Sequence, residues 1–511
     1  MKYPRKSIST AKIRVLKHLL VGVMGINKKT KKILKKLKVK SFNKLKYCFE
    51  SRKFEHIIIS LFDLSPLLFF KRMKKSSGSS NKFYKDLLKF RLSDKFDDLV
   101  HSAQLIDDSI RVPHFSQPGI LPPWYDKSYF LLQSYFEKFS QEQYHNLILV
   151  PFGKMGGADL VAGYLARILV LSGKTLIIRT ELSDWDRPDW YPNDCDIVDL
   201  SPIFREIGNL STAEKMLYML IQHMAPKNIY NVNSRLAFDV FVKYGKRLSF
   251  NRNIYSYYFC ADQNISGIDE GYPILYFENI ILCLKSAYFD NDNLRQKLFN
   301  KFSMPNHIRN KMKLIYTPSE NMGVDEPLVL SQVASSATRK RPRILWAGRF
   351  DRQKRIDLLV GVAHAMPDID FDAWGKAVLD KPPSLQGMPS NLKIHSPFNR
   401  YEELPLSECD GWLYTSQWDG VPTLLIELGA RAMPIVASAV GGVPEIIDAD
   451  TGWPVYEINS VEAYVRAVRA MLADNAIRVK KSMALREHIL RQHNIQNYES
   501  IVLQDQLQDN L

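Results

Sequence analysis

Two acidic residues in the last quarter of the chain have the type and spacing to act on one ligand. Asp419 lies in a polar turn after the apolar segment 411–415, and Glu427 follows in an apolar stretch with seven residues between them. Pro422 suits the first turn of a helix, whose first amides lack partners within the helix. Those amides, at the carboxyl end of a buried strand, favour an anion such as a phosphate. The pattern predicts a strand–turn–helix unit with both carboxylates facing one cleft.

A second strand and glycine turn follow directly. Residues 434–438 form an apolar strand pattern, and the turn after it reads Gly-Gly-Val-Pro-Glu over 441–445. This pattern predicts another strand, turn and helix start beside the first unit. Glu445 at this turn has two interpretations: contact with a bound ligand, or favourable electrostatics at the start of a helix.

Together these segments resemble the retaining GT-B glycosyltransferases of family 4, the glycosyl transferases group 1, of the bacterial surface-polysaccharide type. That family carries an acidic residue, seven residues and a Glu, followed by a Pro-Val-Val strand and a Gly-Gly-x-Pro-Glu turn. The chain matches with Asp419 and Glu427, the strand at 434–436 and the turn at 441–445. The family usually has Glu at the first acidic position, and Asp keeps the charge while shortening the reach.

The resemblance, which covers residues 145–500, implies a fold and a reaction. The implied fold class is α/β of the GT-B type, with two Rossmann-like domains facing across a cleft and an extra basic N-terminal helical region. The implied reaction transfers a sugar from a nucleoside-diphosphate sugar to a glycan, with retention of the anomeric centre. The family generally uses no metal, and we expect no cofactor besides the nucleotide sugar itself.

The segment 343–359 resembles the diphosphate clamp of that family. It reads as a strand, then Gly348 and Arg349, and five positions on Lys354 before a helix. Two cations suit this place because the leaving nucleoside diphosphate gains negative charge as the glycosidic bond breaks. The alternative is a pair of solvated cations at the start of a helix.

The resemblance also assigns roles to single residues. Asp419 would bond a sugar hydroxyl, although it is also an ordinary turn-forming Asp before Gly, and Glu427 would hold the ribose hydroxyls. The family often has a histidine near the reacting centre; at the comparable strand end this chain has Asp262 as the substitute catalytic candidate. The remaining predicted substrate-binding residues lie in glycine-containing turns: Gly156, Gly157, Gly348, Arg349, Lys354, Gly420, Val421, Pro422 and Thr423.

The elements that position these residues alternate between strand and helix from about residue 120. Alternation of this kind predicts parallel sheets with helices on both faces. The predicted strands are 146–150, 175–178, 196–198, 228–230, 254–259, 280–284 and 313–316 before an interdomain linker at 317–342. The predicted domains are a basic, mainly helical extension at 1–115, an acceptor domain at 116–325, a nucleotide-sugar donor domain at 340–485, and a final helix at 486–511 that crosses back to the acceptor domain.

The positive charge of the chain is concentrated at its N-terminus. Residues 1–75 hold 22 Lys and Arg against three acids, whereas the whole chain of 511 residues has a net charge of +16. The amphipathic basic pattern there predicts binding to an anionic membrane surface; nucleic acid and a solvated arm without a partner are the alternatives. We expect no membrane-spanning helix. The five scattered cysteines match no metal-ligand or disulfide pattern, as in a reducing cytosol.

These observations predict a cytoplasmic glycosyltransferase, peripheral on the inner face of the cytoplasmic membrane. Its acceptor would be a lipid-linked glycan in lipopolysaccharide, O-antigen or capsule biosynthesis. The first alternative is a catalytically silent GT-B scaffold or binding subunit of a polysaccharide assembly. A nucleotide-sugar epimerase of the same fold is disfavoured by the acidic pair and the clamp of Arg349 and Lys354, and nucleic-acid binding by the near-neutral body of the chain.

Overall fold

The structure is a computed structural model, and its described part belongs to one compact unit, Lys127–Leu511. It comprises Tyr135, Phe139 and residues 142–507 apart from 155, 208–209, 322, 324, 337–338 and 378–386. The predicted basic extension at 1–115, its membrane-binding segment 1–75 and the domain start at 116 lie outside the described residues. Within that part, no helix is long and apolar enough to cross a membrane.

A seven-stranded parallel sheet forms the first domain, with the strand order β3-β2-β1-β4-β5-β8-β9. Residues 147–150 lie in an interior strand of this sheet, β1, and are at most 1% exposed, because helices cover both faces of the sheet. The strands are Asn146–Val150 (β1), Thr175–Arg179 (β2), Asp196–Asp199 (β3), Asn228–Asn231 (β4), Asn253–Tyr258 (β5), the hairpin pair Asp262–Gln263 (β6) and Asp269–Glu270 (β7), Ser286–Phe289 (β8) and Met312–Leu314 (β9). The helices are Gly157–Ser172 (α1), Ser201–Ile207 (α2), Leu210–Met224 (α3), Arg235–Leu248 (α4), Tyr272–Ile280 (α5), Asp292–Lys301 (α6) and Asn306–Arg309 (α7).

A six-stranded parallel sheet forms the second domain, with the order β12-β11-β10-β13-β14-β15. Its strands are Arg343–Ala347 (β10), Asp370–Trp374 (β11), Leu392–His395 (β12), Gly411–Tyr414 (β13), Ile435–Ser438 (β14) and Trp453–Val455 (β15). Its helices are Leu328–Ser336 (α8), Ile356–Ala365 (α9), Thr423–Ala430 (α10) and Val461–Ala473 (α11). In both sheets the strand order reverses beside the first strand, which is where a doubly wound sheet opens a crevice for ligands.

The last two helices connect the domains. Helix Asn475–Gln492 (α12) packs on α10, and helix Ile495–Leu507 (α13) packs on α1 of the first domain. The hydroxyls of Tyr257 and Tyr498 are 2.7 Å apart, and the Gln506 amide donates to the Tyr230 hydroxyl at 2.8 Å. Buried polar contacts therefore anchor the chain end to the first sheet, and the expected boundary at 486 falls inside α12.

Two segments differ from the sequence expectation. The apolar run 280–284, interpreted as a strand, is the end of α5 and a turn, and the strand follows at β8. The run is too short for its period to separate strand from helix. The segment 317–342, interpreted as a linker, contains α8, whose Gln332 is fully buried and donates to the Leu406 carbonyl at 2.8 Å.

The two crossings between the domains are tied to each other. Nδ1 of the buried His493 lies 2.7 Å from the Thr317 carbonyl, and the Ser319 amide donates to the His493 carbonyl at 2.8 Å. Burial lowers the pKa of His493 to about 4, so its ring is neutral at physiological pH. The linker entering the second domain is therefore fixed in register with the chain returning from it.

Candidate functional site

A cleft of about 280 Å³ lies between the two domains. The first domain contributes the glycine turn before α1 and a loop before β3, and the second contributes the start of α10 and the loop after β12. The lining residues include Gly156, Gly157, Asp189, Trp190, Asn399, Arg400, Thr423 and Glu427. A bound molecule here would contact both Rossmann-like domains at once.

The N-termini of two helices meet in this cleft. A methyl group on Gly157, at the start of α1, would lie 3.2 Å from Cγ2 of Thr423, at the start of α10. The N-cap residues are Gly156 and Pro422, whose side chains cannot cap the first amides. Because a helix N-terminus carries partial positive charge and free N–H groups, the meeting point suits an anion.

The predicted cations lie between β10 and α9, each with a partner in the second domain. Nη2 of Arg349 donates to Gln353 at 2.6 Å, and Nε lies 3.2 Å from the Asp351 carboxylate. The Arg349 side chain is 41% exposed and free to turn toward a ligand. Lys354 is 17% exposed, and its ammonium lies 2.5 Å from the Asp419 carboxylate. The backbone of Gly348 is held by its amide, which donates to the Trp374 carbonyl at 3.0 Å.

Asp419 is held on both of its carboxylate oxygens. Oδ2 accepts from Lys354 and from the hydroxyl of Tyr414, the last residue of β13. Oδ1 accepts from the Gly420 amide at 3.0 Å. The acidic residue and the clamp lysine therefore form a direct ion pair, which the sequence did not predict.

The turn after Asp419 is pressed against the first domain. A Cβ on Gly420 would lie 2.5 Å from the Phe259 carbonyl, so only glycine fits there. The Val421 amide donates to Asp290, whereas the Val421 side chain is buried in the core of the second domain. Both amides of this turn are therefore engaged within the protein, by Asp419 and by Asp290.

Glu427 faces the interdomain linker. Its carboxylate accepts from the Ser319 hydroxyl at 2.9 Å, the Glu320 amide at 2.7 Å and the Asn321 amide at 3.4 Å. Burial raises the pKa of Glu427 to about 7, although the linker hydrogen bonds oppose that shift. Glu427 also lines the cleft, as Thr423 does. Its carboxylate therefore faces the cavity while the linker supplies its hydrogen bonds.

Asp262 lies in the first strand of the β6–β7 hairpin. The surrounding loop partly shields its carboxyl from water, which raises its pKa, and the charges of Arg349 and Asp419 also act on it. The neighbouring Cys260 is close to Asp419 and Asp290, and burial raises the pKa of its thiol. The end of β5 therefore reaches the acidic turn, with Asp262 on the side of the clamp.

Glu445 joins the domains. Its carboxylate accepts from the amides of Asp292 at 3.0 Å and Asn293 at 2.8 Å, the first turn of α6 in the other domain. Tyr316 donates to the same carboxylate at 3.2 Å. Glu445 therefore interacts with the start of a helix, which is one of the two interpretations given above. That helix is α6 of the other domain rather than a helix that begins at Glu445. Its own segment, Val443–Glu445, is a short 3-10 turn.

The sequence interpretation missed several residues near the glycine turn and the cleft. Asp159, in the first turn of α1, is 6% exposed, and burial followed by the nearby Asp186 raises its pKa to about 8. Its position directly after the glycine turn was the available signal. The loop carrying Arg187 and Asp189 was also missed; Arg187 donates to the Asn399 carbonyl of the second domain at 3.1 Å.

Among the described residues, no group of three or more His, Cys, Asp or Glu side chains is arranged to hold a metal ion. Two overlapping Asp-x-Asp sequences, formed by Asp368, Asp370 and Asp372, lie just before and within β11. The site consists of backbone amides, two cations and separate carboxylates.

Two Rossmann-like domains, each with a parallel sheet, a cleft between them and a final helix that returns to the first domain define the GT-B architecture. Solved structures of this class superpose over most of the chain. A sucrose-phosphate synthase from Thermosynechococcus elongatus has 17% identity and a TM-score of 0.55, covering 71% of this chain and 98% of that one. The Anabaena protein HepE in complex with UDP and glucose has 14% identity and a TM-score of 0.56, covering 71% and 99%. The predicted GT-B fold is confirmed.

Residues 341–474 match the family model described as Glycosyl transferases group 1. The matched residues fall in the second domain, which also contains the motifs that resemble this family. Curated relatives include an uncharacterised 41.2 kDa protein in the cps region of Klebsiella pneumoniae, 26% identical over 28% of this chain, and the alpha-maltose-1-phosphate synthase of Mycolicibacterium smegmatis, 29% identical over 31% of it. The chain spans 41% and 45% of the length of these two relatives.

Proposed function

We propose that this protein is a glycosyltransferase that moves a sugar from a nucleoside-diphosphate sugar to a glycan acceptor, with retention and without a metal ion or other cofactor. The observation that carries the proposal is an interdomain cleft in which two helix N-termini meet and which Glu427 lines, with the ion pair of Lys354 and Asp419 at the turn that precedes one of these helices. Helix amides and cations stabilise a leaving diphosphate without metal help. The Anabaena neighbour in complex with UDP-glucose supports this class of donor.

The clamp residues act on the leaving group. Arg349 turns from Gln353 to the donor's phosphates, and Lys354 exchanges Asp419 for a phosphate oxygen. Both cations then strengthen their contact as negative charge builds on the diphosphate, which lowers the barrier selectively. The N-terminus of α10 and the glycine turn at Gly156 and Gly157 complete the cradle.

The carboxylates act on the two sugars of the donor. Asp419 accepts a hydrogen bond from one hydroxyl of the transferred sugar. Glu427 accepts hydrogen bonds from the ribose hydroxyls after it gives up part of its hydrogen bonding to the linker. Asp262, on the first-domain side, is the candidate to contact the acceptor hydroxyl. A carboxylate at that place could accept the proton of the hydroxyl as the new bond forms.

The acceptor is proposed to be a lipid-linked glycan in lipopolysaccharide, O-antigen or capsule biosynthesis. The Klebsiella relative from a cps region supports a role in surface polysaccharide. The basic segment 1–75 supports a cytoplasmic protein held on the anionic inner face of the membrane. Full-length protein is expected to sediment with anionic vesicles, and protein lacking residues 1–75 to remain in solution; equal sedimentation of both would refute the membrane proposal.

A thermal-shift screen against nucleoside diphosphates and their sugars tests the donor site. Ligand at 100 times its dissociation constant adds about 2.7 kcal/mol to the free energy of unfolding. We expect a clear shift with one nucleotide family, lost in Arg349→Ala, followed by sugar transfer from that nucleotide in solution. Lys393→Ala, an exposed cation on the edge strand β12, is the matched control.

The alternative function is a catalytically silent GT-B scaffold or binding subunit. It is favoured because both carboxylates already have partners within the protein. The linker donates hydrogen bonds to Glu427, and Lys354 forms an ion pair with Asp419. Absence of any nucleotide shift would favour it. Conversely, loss of sugar transfer in a folded Glu427→Ala variant would establish the enzyme.

A further inference from the structure

Tyr414 ends β13 with its hydroxyl on the Asp419 carboxylate. Its side chain is 3% exposed, and its hydroxyl donates to the oxygen that also receives Lys354. The ring is fixed by Trp412, whose ring centre lies 5.3 Å away at 54°. The Lys354 ammonium lies 5.2 Å from the centre of the tyrosine ring. The hydroxyl therefore comes from a rigid position inside the second domain.

The phenol is a permanent hydrogen-bond donor. Burial, followed by the adjacent negative charge of Asp419, holds the pKa of Tyr414 well above its usual value. The first domain faces Asp419 with Asp262, Asp290 and Cys260, so it presents carboxyl groups that repel Asp419 when they are ionised. Tyr414 and Lys354 counter that repulsion from the opposite side.

Counting acceptor positions shows what is left for a ligand. An ionised carboxylate has about four lone-pair sites. Tyr414, Lys354 and the Gly420 amide occupy three, which leaves one on Oδ1. When Lys354 moves to a phosphate, Tyr414 still holds Oδ2, so Asp419 keeps its orientation during donor binding.

We propose that Tyr414 is a positioning residue whose hydroxyl fixes Asp419 so that its remaining acceptor site receives one hydroxyl of the donor's sugar. Tyr414 and Asp419 act as a matched pair: the phenol occupies the space that the extra methylene of a glutamate would need. This inference rests on the proposed function and deepens it, since it assigns how the sugar end of the site is held.

The test is a cycle of four proteins: wild type, Tyr414→Phe, Asp419→Glu and the double variant. Tyr414→Phe is expected to lower kcat/KM about tenfold or more, because a hydrogen bond to a charged group is lost. Its affinity for UDP, or for whichever nucleoside diphosphate the thermal-shift screen selects, stays unchanged, while the added affinity for the matching nucleotide sugar falls. Asp419→Glu loses at least as much, because the extra methylene drives the carboxylate about 1.5 Å toward the phenol.

The double variant decides the question. If the pair is matched, removing the hydroxyl makes room for the glutamate, and the double variant recovers most of the activity lost in Asp419→Glu. A double variant no better than the product of the two single losses overturns the proposal. Tyr464→Phe is the control, because that buried hydroxyl donates to the Ile458 carbonyl at 3.1 Å rather than to Asp419.

Urea unfolding of the same four proteins, without nucleotide, separates this inference from the proposed function. If the two positions are coupled, the unfolding equilibrium constant of the double variant should differ about tenfold from the value expected by adding the effects of the two single variants. Additive unfolding effects overturn the positioning role whatever the activity. Coupling in unfolding together with no affinity of the wild type for any nucleotide sugar would instead reject the proposed function and retain the contact.

Discussion

The two ends of the α10 unit hold their carboxylates in different ways. At the turn before the helix, Asp419 is bound by Tyr414, Lys354 and Gly420, all from the second domain. Inside the helix, Glu427 is bound by Ser319, Glu320 and Asn321 of the linker that joins the domains. The hydrogen bonds to the Asp419 carboxylate therefore all come from one domain, whereas the environment of Glu427 depends on where the linker lies. One end is preorganised, and the other is coupled to the arrangement of the domains.

The largest effect is expected from a substitution that removes Lys354 from the preorganised end. Lys354→Ala should lower kcat/KM by roughly 100-fold or more, since losing one group that stabilises the transition state costs about 2.7–4 kcal/mol. The free energy of unfolding should change far less, because Tyr414 and Gly420 still hold Asp419. Steady-state kinetics with urea unfolding checks both, and Lys393→Ala should match the wild type. A loss below threefold would argue against a role for Lys354 on the leaving group.

The second prediction concerns the coupled end and its pH dependence. The pKa of Glu427 is raised from 4.5 to about 7, so the folded state binds this proton more tightly than the unfolded state. The resulting stabilisation is fully present below pH 4.5 and is lost as the pH rises through about 7. Over this range it amounts to up to about 3 kcal/mol, at 1.36 kcal/mol per pKa unit.

Glu427→Gln should therefore flatten the pH dependence of stability between pH 5 and pH 8. Urea unfolding at several pH values measures this. Glu457→Gln is the control, since that side chain is 68% exposed and pairs with Arg466 on the surface. An unchanged profile in Glu427→Gln would mean that Glu427 is ionised throughout, and the contrast between the two ends would lose its electrostatic basis.

The third prediction sharpens the comparison by acting on the seam between the domains. Glu445→Ala removes a carboxylate from the start of α6, and we expect a loss of about 1–2 kcal/mol in the free energy of unfolding. The effect on kcat/KM should be small, because Glu445 contacts neither the clamp nor Asp419. Thermal and urea unfolding measure the loss, with Glu457→Ala expected within about 0.5 kcal/mol of the wild type.

The preorganised end was also the part that the sequence predicted best. Asp419, Gly420, Pro422 and Lys354 belong to local patterns in which glycine, proline and charge have strong positional meaning. The strands around them followed from short apolar runs between those signals. The helix α10 begins at Thr423, so Pro422 is its N-cap residue and not, as the sequence had predicted, part of its first turn.

The coupled end was not readable from the sequence. The partners of Glu427 lie about a hundred positions earlier, and those of Glu445 about 150 positions earlier, in segments without a motif. Such contacts depend on how the domains and the linker pack, and no local pattern encodes them. The misassigned strand at 280–284 has a related cause, since burial alone made both a helix end and a strand acceptable.

The smallest expected effect concerns Arg355, which turns the chain immediately after Lys354. Its φ of 51° lies in the left-handed region, which is costly for a residue with a Cβ. Its side chain bonds to Asp357 at 2.8 Å and to Asn459 at 2.7 Å, and the carbonyls of Lys354 and Arg355 accept from the Thr415 hydroxyl. These contacts offset the backbone strain and hold Lys354 toward Asp419.

Substituting Arg355 by Ala and by Gly separates the two contributions. Both variants lose the side-chain contacts, but only glycine is relieved of the left-handed conformation, so Arg355→Gly should be more stable than Arg355→Ala by about 1 kcal/mol. Urea unfolding measures this difference. Equal stability would mean that the turn relaxes when the side chain is lost; Lys354 would then depend on Arg355 for its position, and kcat/KM should fall in both variants. A difference of the expected size with unchanged kcat/KM means that the second domain holds its lysine through the backbone of the turn, which is what preorganisation of that end requires.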